Sequence, residues 1–207
     1  MSFQRGDSLN SEQSPNLLDI KRAEKSHLWK REENEHYVEE MWCSRRLFDV
    51  EQFQGEIIDP ACGFGRIVES ALLAGYSAGG ADIVQRAPRY PIANFFASSK
   101  TTDNFVSNPP FKEFKPFALH ALAHCRYKLA LIWQVPRLNA ARWIEETPLA
   151  RIWLLTPRPS MPPGWAIMAG NMPNGDKPQG GTQDYCWLVW DKAHTGPPTI
   201  GWLRRNK

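Results

Sequence analysis

Asp59-Pro60-Ala61-Cys62-Gly63-Phe64-Gly65 is the stretch that decides the fold of this 207-residue chain. It follows the apolar run 56–58, which is typical of a short buried strand, and it precedes RIVESALLAG (66–75), which predicts a helix ending at Gly75. Gly63 and Gly65 let the backbone approach a ligand closely, where a Cβ atom would collide with it. A strand, a glycine turn and a helix in this order predict an α/β fold with a ligand site at the turn.

The residues around this turn argue against a dinucleotide as the ligand. Val68 occupies the place of the third glycine in the dinucleotide fingerprint. Asp59 precedes the glycines, where a carboxylate suits a ligand that carries a cationic amine rather than a pyrophosphate. Asp82 comes 23 residues later, at the end of the small-residue run AGGADI (78–83), and a carboxylate there can accept both hydroxyls of a ribose.

Helical and strand patterns alternate along the rest of the chain, which predicts a mainly parallel sheet. Helices are predicted over 17–33, 38–48, 114–125 and 140–146, and strands over 103–107, 127–135, 151–156 and 185–191. No helical pattern separates the last two strands, so an antiparallel pair is predicted at one edge of the sheet. Residues 1–17 are polar and are expected to be a disordered tail, and residues 18–207 are expected to form one domain.

Composition excludes several other classes of protein. Apolar residues make up 42% of the chain and charged residues 23%, which is ordinary for a globular domain. No apolar run reaches the roughly 20 residues of a membrane span, and the polar N-terminus predicts a cytoplasmic protein without a membrane partner. The four cysteines form no C-x-x-C pair, and no glutamate lies between His120 and His124 as a zinc protease would need, so no metal site is expected.

Positive charge is concentrated in the C-terminal half. Residues 1–107 contain 12 Lys/Arg and 16 Asp/Glu, whereas residues 108–207 contain 13 and 6. A basic half is compatible with a phosphate-backbone partner and equally with solvated surface charge.

The sequence Asn108-Pro109-Pro110-Phe111 follows the predicted strand 103–107 and carries candidate chemistry. An exocyclic amine on an aromatic ring is a poor nucleophile because its lone pair is delocalised into the ring. The Asn108 side-chain oxygen and the Pro109 carbonyl can accept both amine hydrogens, which favours a pyramidal nitrogen. The two prolines stiffen the turn, and Phe111 offers a flat face to an extruded base.

Together these motifs resemble a known family. DPACGFG, GADI and SNPPF are similar to the first, second and fourth motifs of class I S-adenosylmethionine-dependent methyltransferases. SNPPF with the late strand Asp184 to Trp190 after a Pro-rich loop is most similar to small bacterial and phage DNA adenine-N6 methyltransferases. The resemblance implies a single Rossmann-like α/β domain, with a mostly parallel seven-stranded sheet and an antiparallel edge strand. It also implies S-adenosylmethionine as cofactor and nucleic acid, most simply DNA, as partner.

The resemblance further assigns the cofactor site. The methionine part is expected against Asp59, Ala61, Gly63 and Gly65, the ribose against Asp82 with Ile83, and the adenine against Asn94 and Phe95, with Asn108 and the upstream Tyr37 adjoining. Asn94 stands where the family often has an aspartate, so Asp103 and Asn104 are alternatives for that role. Trp42, near Tyr37, is a second upstream candidate, although helix packing explains it better.

The remaining assignments concern the substrate. Asn108, Pro109, Pro110 and Phe111 are expected to be catalytic, and Phe111 is expected to bind the base together with Arg158, Trp165 and Lys177 of the long loop 157–181. Only 99 residues follow Asn108, too few for a separate target-recognition domain, so we expect the protein to recognise few bases or to take its specificity from a partner. The same motif also serves RNA adenine or guanine methyltransferases and protein-glutamine methyltransferases, and a catalytically silent binding protein is a further alternative.

Overall fold

The computed structural model describes residues 36–168 and 181–206. Three sequence predictions therefore lie wholly outside the described residues, namely the tail 1–17, the helix 17–33 and a substrate contact at Lys177. Within the described residues, no helix is long and apolar enough to cross a membrane.

Seven strands and four α-helices form the described part of the chain. The strands are β1 (Ile57–Asp59), β2 (Ala78–Gly80), β3 (Thr102–Ser107), β4 (Cys125–Gln134), β5 (Leu149–Thr156), β6 (Tyr185–Asp191) and β7 (Thr199–Arg204). The helices are α1 (Met41–Val50), α2 (Arg66–Leu73), α3 (Phe114–His124) and α4 (Gly164–Met168). Short 3-10 turns cover Phe95–Ala97, Phe111–Glu113, Val135–Ala140 and Arg142–Glu146.

The strands form one mostly parallel sheet in the order β2-β1-β3-β4-β6-β5-β7, which confirms the predicted fold class. β2, β1, β3 and β4 run parallel, and β6 pairs antiparallel with both β4 and β5. The predicted antiparallel pair of late strands is therefore present near one edge. The antiparallel strand itself is not outermost, because β5 and then β7 lie beyond it and β7 runs parallel to β5.

Two uninterrupted apolar runs build the centre of this sheet. β4 and β6 pair over seven residues, with Ile132 opposite Trp187 and Leu129 opposite Trp190, and these four side chains are buried. Strands covered on both faces need apolar residues at consecutive positions, which is the pattern that the sequence has here. The Trp187 indole N–H donates to the Cys43 carbonyl at 2.9 Å, which joins α1 to the sheet.

Four local predictions need correction. The segment 140–146 forms 3-10 turns rather than a helix, because Pro148 disfavours helical backbone at Thr147 and leaves too few residues for a stable α-helix. The helix predicted from residue 38 begins only at Met41. β2 ends at Gly80, so Asp82 lies beyond the strand and forms an isolated parallel bridge with Ile92. β7 was not predicted, because Ile200 and Trp202 are 61% and 59% exposed and Leu203 is the one buried side chain of the strand, so the segment has no alternating apolar face.

Candidate active site

The ends of three parallel strands place the candidate site. Asp59 is the last residue of β1, Asn108 follows the last residue of β3, and Asp82 follows β2 by two residues. Carboxyl ends of parallel strands meet at one edge of a sheet, where such folds bind ligands. The three polar side chains that the sequence singled out are therefore brought to the same edge.

Two adjoining cavities open at this edge. The larger has a volume of about 310 Å³ and is bordered by seven of the predicted cofactor residues, namely Tyr37, Ala61, Asp82, Ile83, Asn94, Phe95 and Asn108. The smaller, of about 20 Å³, is bordered by Asp59, Gly63 and Glu39 among others. His36, Tyr37, Ala61 and Asn108 border both cavities, so Asn108 lies where the two meet.

The glycine turn has a backbone that other residues rarely adopt. Gly65 has a φ of +86° and Gly63 a φ of +52°, both in the left-handed region that favours glycine. A Cβ atom at Gly65 would overlap the Tyr90 ring, and one at Gly63 would overlap the His36 imidazole. Conformation and space both favour glycine at these two positions, and the neighbours that a Cβ would meet are side chains of the protein itself.

Asp59 is buried and is held by neighbours of the same site. Its Oδ1 accepts hydrogen bonds from the Ser107 hydroxyl at 2.7 Å and from the Ala61 amide at 3.1 Å. Burial raises the pKa of Asp59 to about 8, and the nearby carboxylates of Glu39 and Asp82 contribute in the same direction. A cation in the smaller cavity would favour the ionised form, so Asp59 suits a positively charged ligand group.

Asp82 connects the glycine turn to the large cavity. Its Oδ2 accepts from the Gly63 amide at 2.8 Å, its Oδ1 accepts from the Val84 amide at 3.0 Å, and Arg86 Nε lies 3.7 Å from Oδ1. These contacts fix the carboxylate at the cavity wall. Asp82 therefore shapes the turn as well as facing the space where a ligand would lie.

Asn108 has an amide group with a defined orientation. Its Nδ2 donates one hydrogen bond to the Tyr37 carbonyl at 2.8 Å and another to Glu39 Oε2 at 2.9 Å. Both amide hydrogens are directed at these two acceptors, so Oδ1 is left to accept a hydrogen bond at the junction of the cavities.

No known family model matches the sequence, and no curated protein matches it. Solved structures do match it. An RNA methyltransferase candidate from Pyrococcus horikoshii is 15% identical, with a TM-score of 0.52 over 73% of this chain and 81% of that one. A Thermoplasma acidophilum protein is 16% identical, with a TM-score of 0.51 over 73% and 84% of the two chains. A predicted O-methyltransferase from Agrobacterium tumefaciens is 13% identical, with a TM-score of 0.50 over 79% and 85%.

The chain has the class I methyltransferase fold. Within this methyltransferase fold, the two alternatives for the adenine-side contact lie away from the cavities. Asp103 accepts from the Glu56 amide and pairs with Arg126, and the Asn104 amide donates to the Gln54 carbonyl, all at the end of β3 remote from Asn108. Asn94 and Phe95 border the large cavity and remain the better assignment.

Trp42 borders neither cavity of the methyltransferase fold. Arg205 lies over its ring at 5.4 Å, and the side chain packs against the core, so helix packing accounts for it.

Phe111 also differs from expectation, because its ring is only 8% exposed. It lies near Tyr37, with centroids 6.5 Å apart and planes at 10°, and near Tyr185, with centroids 5.9 Å apart and planes at 30°. An open face for a base therefore requires one of these rings to move.

The described part of the loop 157–181 is attached to the segment 36–40 beside the site. Val38 donates to the Pro162 carbonyl and Gly164 donates to the His36 carbonyl, each at 2.9 Å, and the Ser160 amide donates to Glu40 at 2.8 Å. Arg158 forms a bidentate pair with Asp184, at 2.7 and 3.0 Å, so its charge is neutralised within the protein. Trp165 is half-exposed on α4.

Residues of the site that the sequence did not single out include His36, Glu39 and Arg86. His36 borders both cavities, and burial beside the Arg86 cation lowers its pKa to about 4, so the imidazole is neutral near pH 7. Residues 36 and 39 lie in an irregular segment before α1, where the sequence predicts that the helix already begins at residue 38. Within the described residues, no group of three or more His, Cys, Asp or Glu side chains is placed to hold a metal.

Proposed function

We propose that this chain transfers a methyl group from S-adenosylmethionine to the N6 amino group of adenine in DNA. The observation that supports this most directly is the orientation of Asn108. Its amide hydrogens are directed at Tyr37 and Glu39, and its oxygen is left as an acceptor where the two cavities meet. An amine substrate needs an acceptor of this kind.

The residues around the cavities fit the cofactor. A volume of about 310 Å³ lies within the range of small-molecule sites, which is about 300–1,000 Å³. Asp59 would hold the amino group of the methionine part, Asp82 the ribose hydroxyls, and Phe95 with Asn94 the adenine. When bound, S-adenosylmethionine supplies a methyl group on a positively charged sulfur, which makes that carbon electrophilic.

The residues of the turn after β3 would prepare the nucleophile. Asn108 Oδ1 and the Pro109 carbonyl would each accept one N–H of the target amine, so that the nitrogen lone pair is released from the ring and directed at the methyl carbon. The nitrogen would gain the methyl group as the bond between that carbon and the cofactor sulfur breaks, which leaves a neutral thioether, and the nitrogen would then lose a proton. Because an N-methylated aromatic ammonium is strongly acidic, water can take that proton and no strong general base is required.

The same turn would hold the target base. Phe111 would stack on an adenine extruded from the duplex. Tyr185 is buried in β6, whereas Tyr37 is only partly buried in an irregular segment, so Tyr37 is the ring that would give way. The resemblance to small bacterial and phage adenine methyltransferases supports DNA as the polymer.

The proposal is tested with tritiated S-adenosylmethionine and four substrates, namely duplex DNA, single-stranded DNA, RNA and protein, followed by nucleoside analysis. N6-methyladenine from DNA is the expected product. N4-methylcytosine would contradict the choice of base, and label only in RNA or protein would contradict the choice of substrate. Absence of transfer to all four would contradict the activity itself.

A further inference from the structure

Glu39 is a buried carboxylate in direct contact with Asn108. The side chain is 5% exposed, and its Oε2 accepts from Asn108 Nδ2 at 2.9 Å. Burying a carboxylate is expensive unless a partner compensates for the lost hydration. Burial raises the pKa of Glu39, while the bond from Asn108 and the nearby Arg66 cation lower it. The hydrogen bond from Asn108 is therefore one of the contacts that compensate for burying Glu39.

The backbone around Glu39 is held independently of its carboxylate. Arg66 Nη1 donates to the Glu39 carbonyl at 2.8 Å, and the neighbouring Val38 amide donates to the Pro162 carbonyl at 2.9 Å. These bonds fix the position of the segment next to Asn108. The carboxylate is therefore available for the Asn108 amide without being needed to anchor the chain.

An asparagine amide can turn over, which exchanges its oxygen and its nitrogen. With Tyr37 O and Glu39 Oε2 both facing the same end of the amide, the reversed orientation would bring the Asn108 oxygen against a carbonyl and a carboxylate. That arrangement is repulsive, whereas the observed one makes two hydrogen bonds, one of them to a carboxyl group. Glu39 thus selects the orientation in which the oxygen remains available to a substrate.

We propose that Glu39 is a positioning residue for the methyl transfer, acting through Asn108. The role of Glu39 in turnover rests on the proposed function, whereas its hydrogen bond with Asn108 does not. In this role the residue needs a hydrogen-bond acceptor at the end of a side chain of this length, and its negative charge is secondary. A direct role as ligand of the cofactor cation would instead need the charge and tolerate a shorter side chain.

Two near-isosteric substitutions separate these roles. Glu39→Gln keeps the length and an acceptor oxygen but loses the charge, and Glu39→Asp keeps the charge but loses about one methylene of reach. We expect Glu39→Gln to retain kcat within about threefold. We expect Glu39→Asp to lower kcat by about 10- to 100-fold, with the Kd for S-adenosylmethionine within about threefold in both variants. Glu40→Gln is the matched control, because the Glu40 carboxylate contacts Ser160 and Arg205 rather than Asn108.

The opposite result would overturn the proposal. An active Glu39→Asp with an inactive Glu39→Gln, or a Kd that weakens in step with the loss of turnover, would make Glu39 a cofactor ligand. Unchanged kcat in both variants would also contradict a positioning role. Thermal unfolding of each variant establishes that its fold is retained.

A second measurement does not depend on catalysis. In ¹⁵N-labelled protein, the Asn108 side-chain amide signal is identified by its loss in Asn108→Ala. We expect that signal to shift and to exchange faster with solvent in Glu39→Asp, and to stay near its wild-type position in Glu40→Gln. If wild type methylates no nucleic acid, the proposed function fails, and this signal still decides whether Glu39 orients Asn108. An Asn108 signal unaffected by Glu39→Asp would overturn the inference.

Discussion

Asn108 is the single residue whose substitution tests the proposed mechanism most directly. In Asn108→Ala the proposed acceptor for the target amine is lost, while the other walls of the cavity proposed for the cofactor remain. We expect kcat to fall by about a thousandfold or more, a loss typical of removing a preorganised group in a transition state. The Kd for S-adenosylmethionine, measured by calorimetry, is expected to change by less than about threefold.

Asn139→Ala is the matched control for this substitution, because Asn139 is an exposed asparagine in the turn after β4. Its turnover should equal that of wild type. Wild-type turnover in Asn108→Ala would contradict the mechanism, and a large loss of cofactor affinity would make Asn108 a cofactor residue.

The raised pKa of Asp59 leads to a prediction of how the affinity for the cofactor depends on pH. In the free protein, burial first of all raises the pKa of Asp59 to about 8, and Glu39 and Asp82 add to this. A cationic ligand lowers that pKa, so binding releases a proton below pH 8. Affinity for S-adenosylmethionine should therefore rise from about pH 5.5 to pH 6.5, by up to about tenfold per pH unit, and this window ends about one pH unit below the pKa of the ligand's own amino group.

The measurement is calorimetry at several pH values and in buffers of different ionisation enthalpy, which counts the released protons. Asp59→Asn is the control, since it has no proton to release and its affinity should vary less with pH. An affinity that falls with rising pH over this range would show that Asp59 does not face the cation. The neutral His36, with a pKa of about 4, does not titrate in this window.

Among the elements, the turn between β1 and α2 is one that an added side chain would disrupt. Gly65 and Gly75 have nearly the same φ, +86° and +88°, and lie at the two ends of α2. A Cβ at Gly65 would overlap the Tyr90 ring, whereas a Cβ at Gly75 meets nothing within 4 Å. Gly75→Ala should therefore cost only the backbone strain, about 1–2 kcal/mol of unfolding free energy.

Gly65→Ala should have the same strain and in addition displace Tyr90 and the turn. We expect cofactor affinity to fall at least about tenfold in Gly65→Ala and to stay near wild type in Gly75→Ala, with unfolding by denaturant measured for both. Equal affinities in the two variants would mean that the turn does not contact the cofactor.

The elements differ in how far the sequence predicted them. Continuous apolar runs predicted β4 and β6, and the resemblance to methyltransferases assigned Asp59, Asp82 and Asn108 to one site. β7 was missed because it is an edge strand with exposed apolar side chains, which leaves no periodic signal.

Long-range contacts account for the site residues that the sequence did not predict. Glu39 and Asn108 are 69 residues apart in the chain, and His36 is enclosed by a loop that follows it by more than 120 positions. Such contacts depend on how the irregular segment 36–40 lies across the sheet. Local sequence patterns do not encode that placement, so these two residues were found only in the structure.

At the scale of the whole molecule, the positive charge of the C-terminal half is partly used inside the fold. Basic side chains of this half form ion pairs, namely Arg126 with Asp103, Lys128 and Arg151 with Glu51, Arg158 with Asp184, and Arg205 with Glu40. A cation that is already paired releases fewer counterions from a phosphate backbone. The excess of Lys and Arg counted from the sequence therefore overstates the number of phosphate contacts, and the salt dependence of DNA binding should be moderate.

Lys112 is the basic residue best placed to test a phosphate contact, because it follows Phe111 and borders the large cavity. If its ammonium neutralises one phosphate of duplex DNA, Lys112→Gln should lower the slope of log K against log salt by about 0.9. Lys192→Gln is the matched control. Lys192 follows β6 at the end of the sheet where β4 begins, away from the cavities, so this substitution should leave the slope unchanged. Fluorescence anisotropy of a labelled duplex between about 50 and 200 mM salt gives both slopes. Equal slopes in wild type and Lys112→Gln would remove Lys112 from the DNA contact, and wild-type binding that does not depend on salt would favour a protein substrate over nucleic acid.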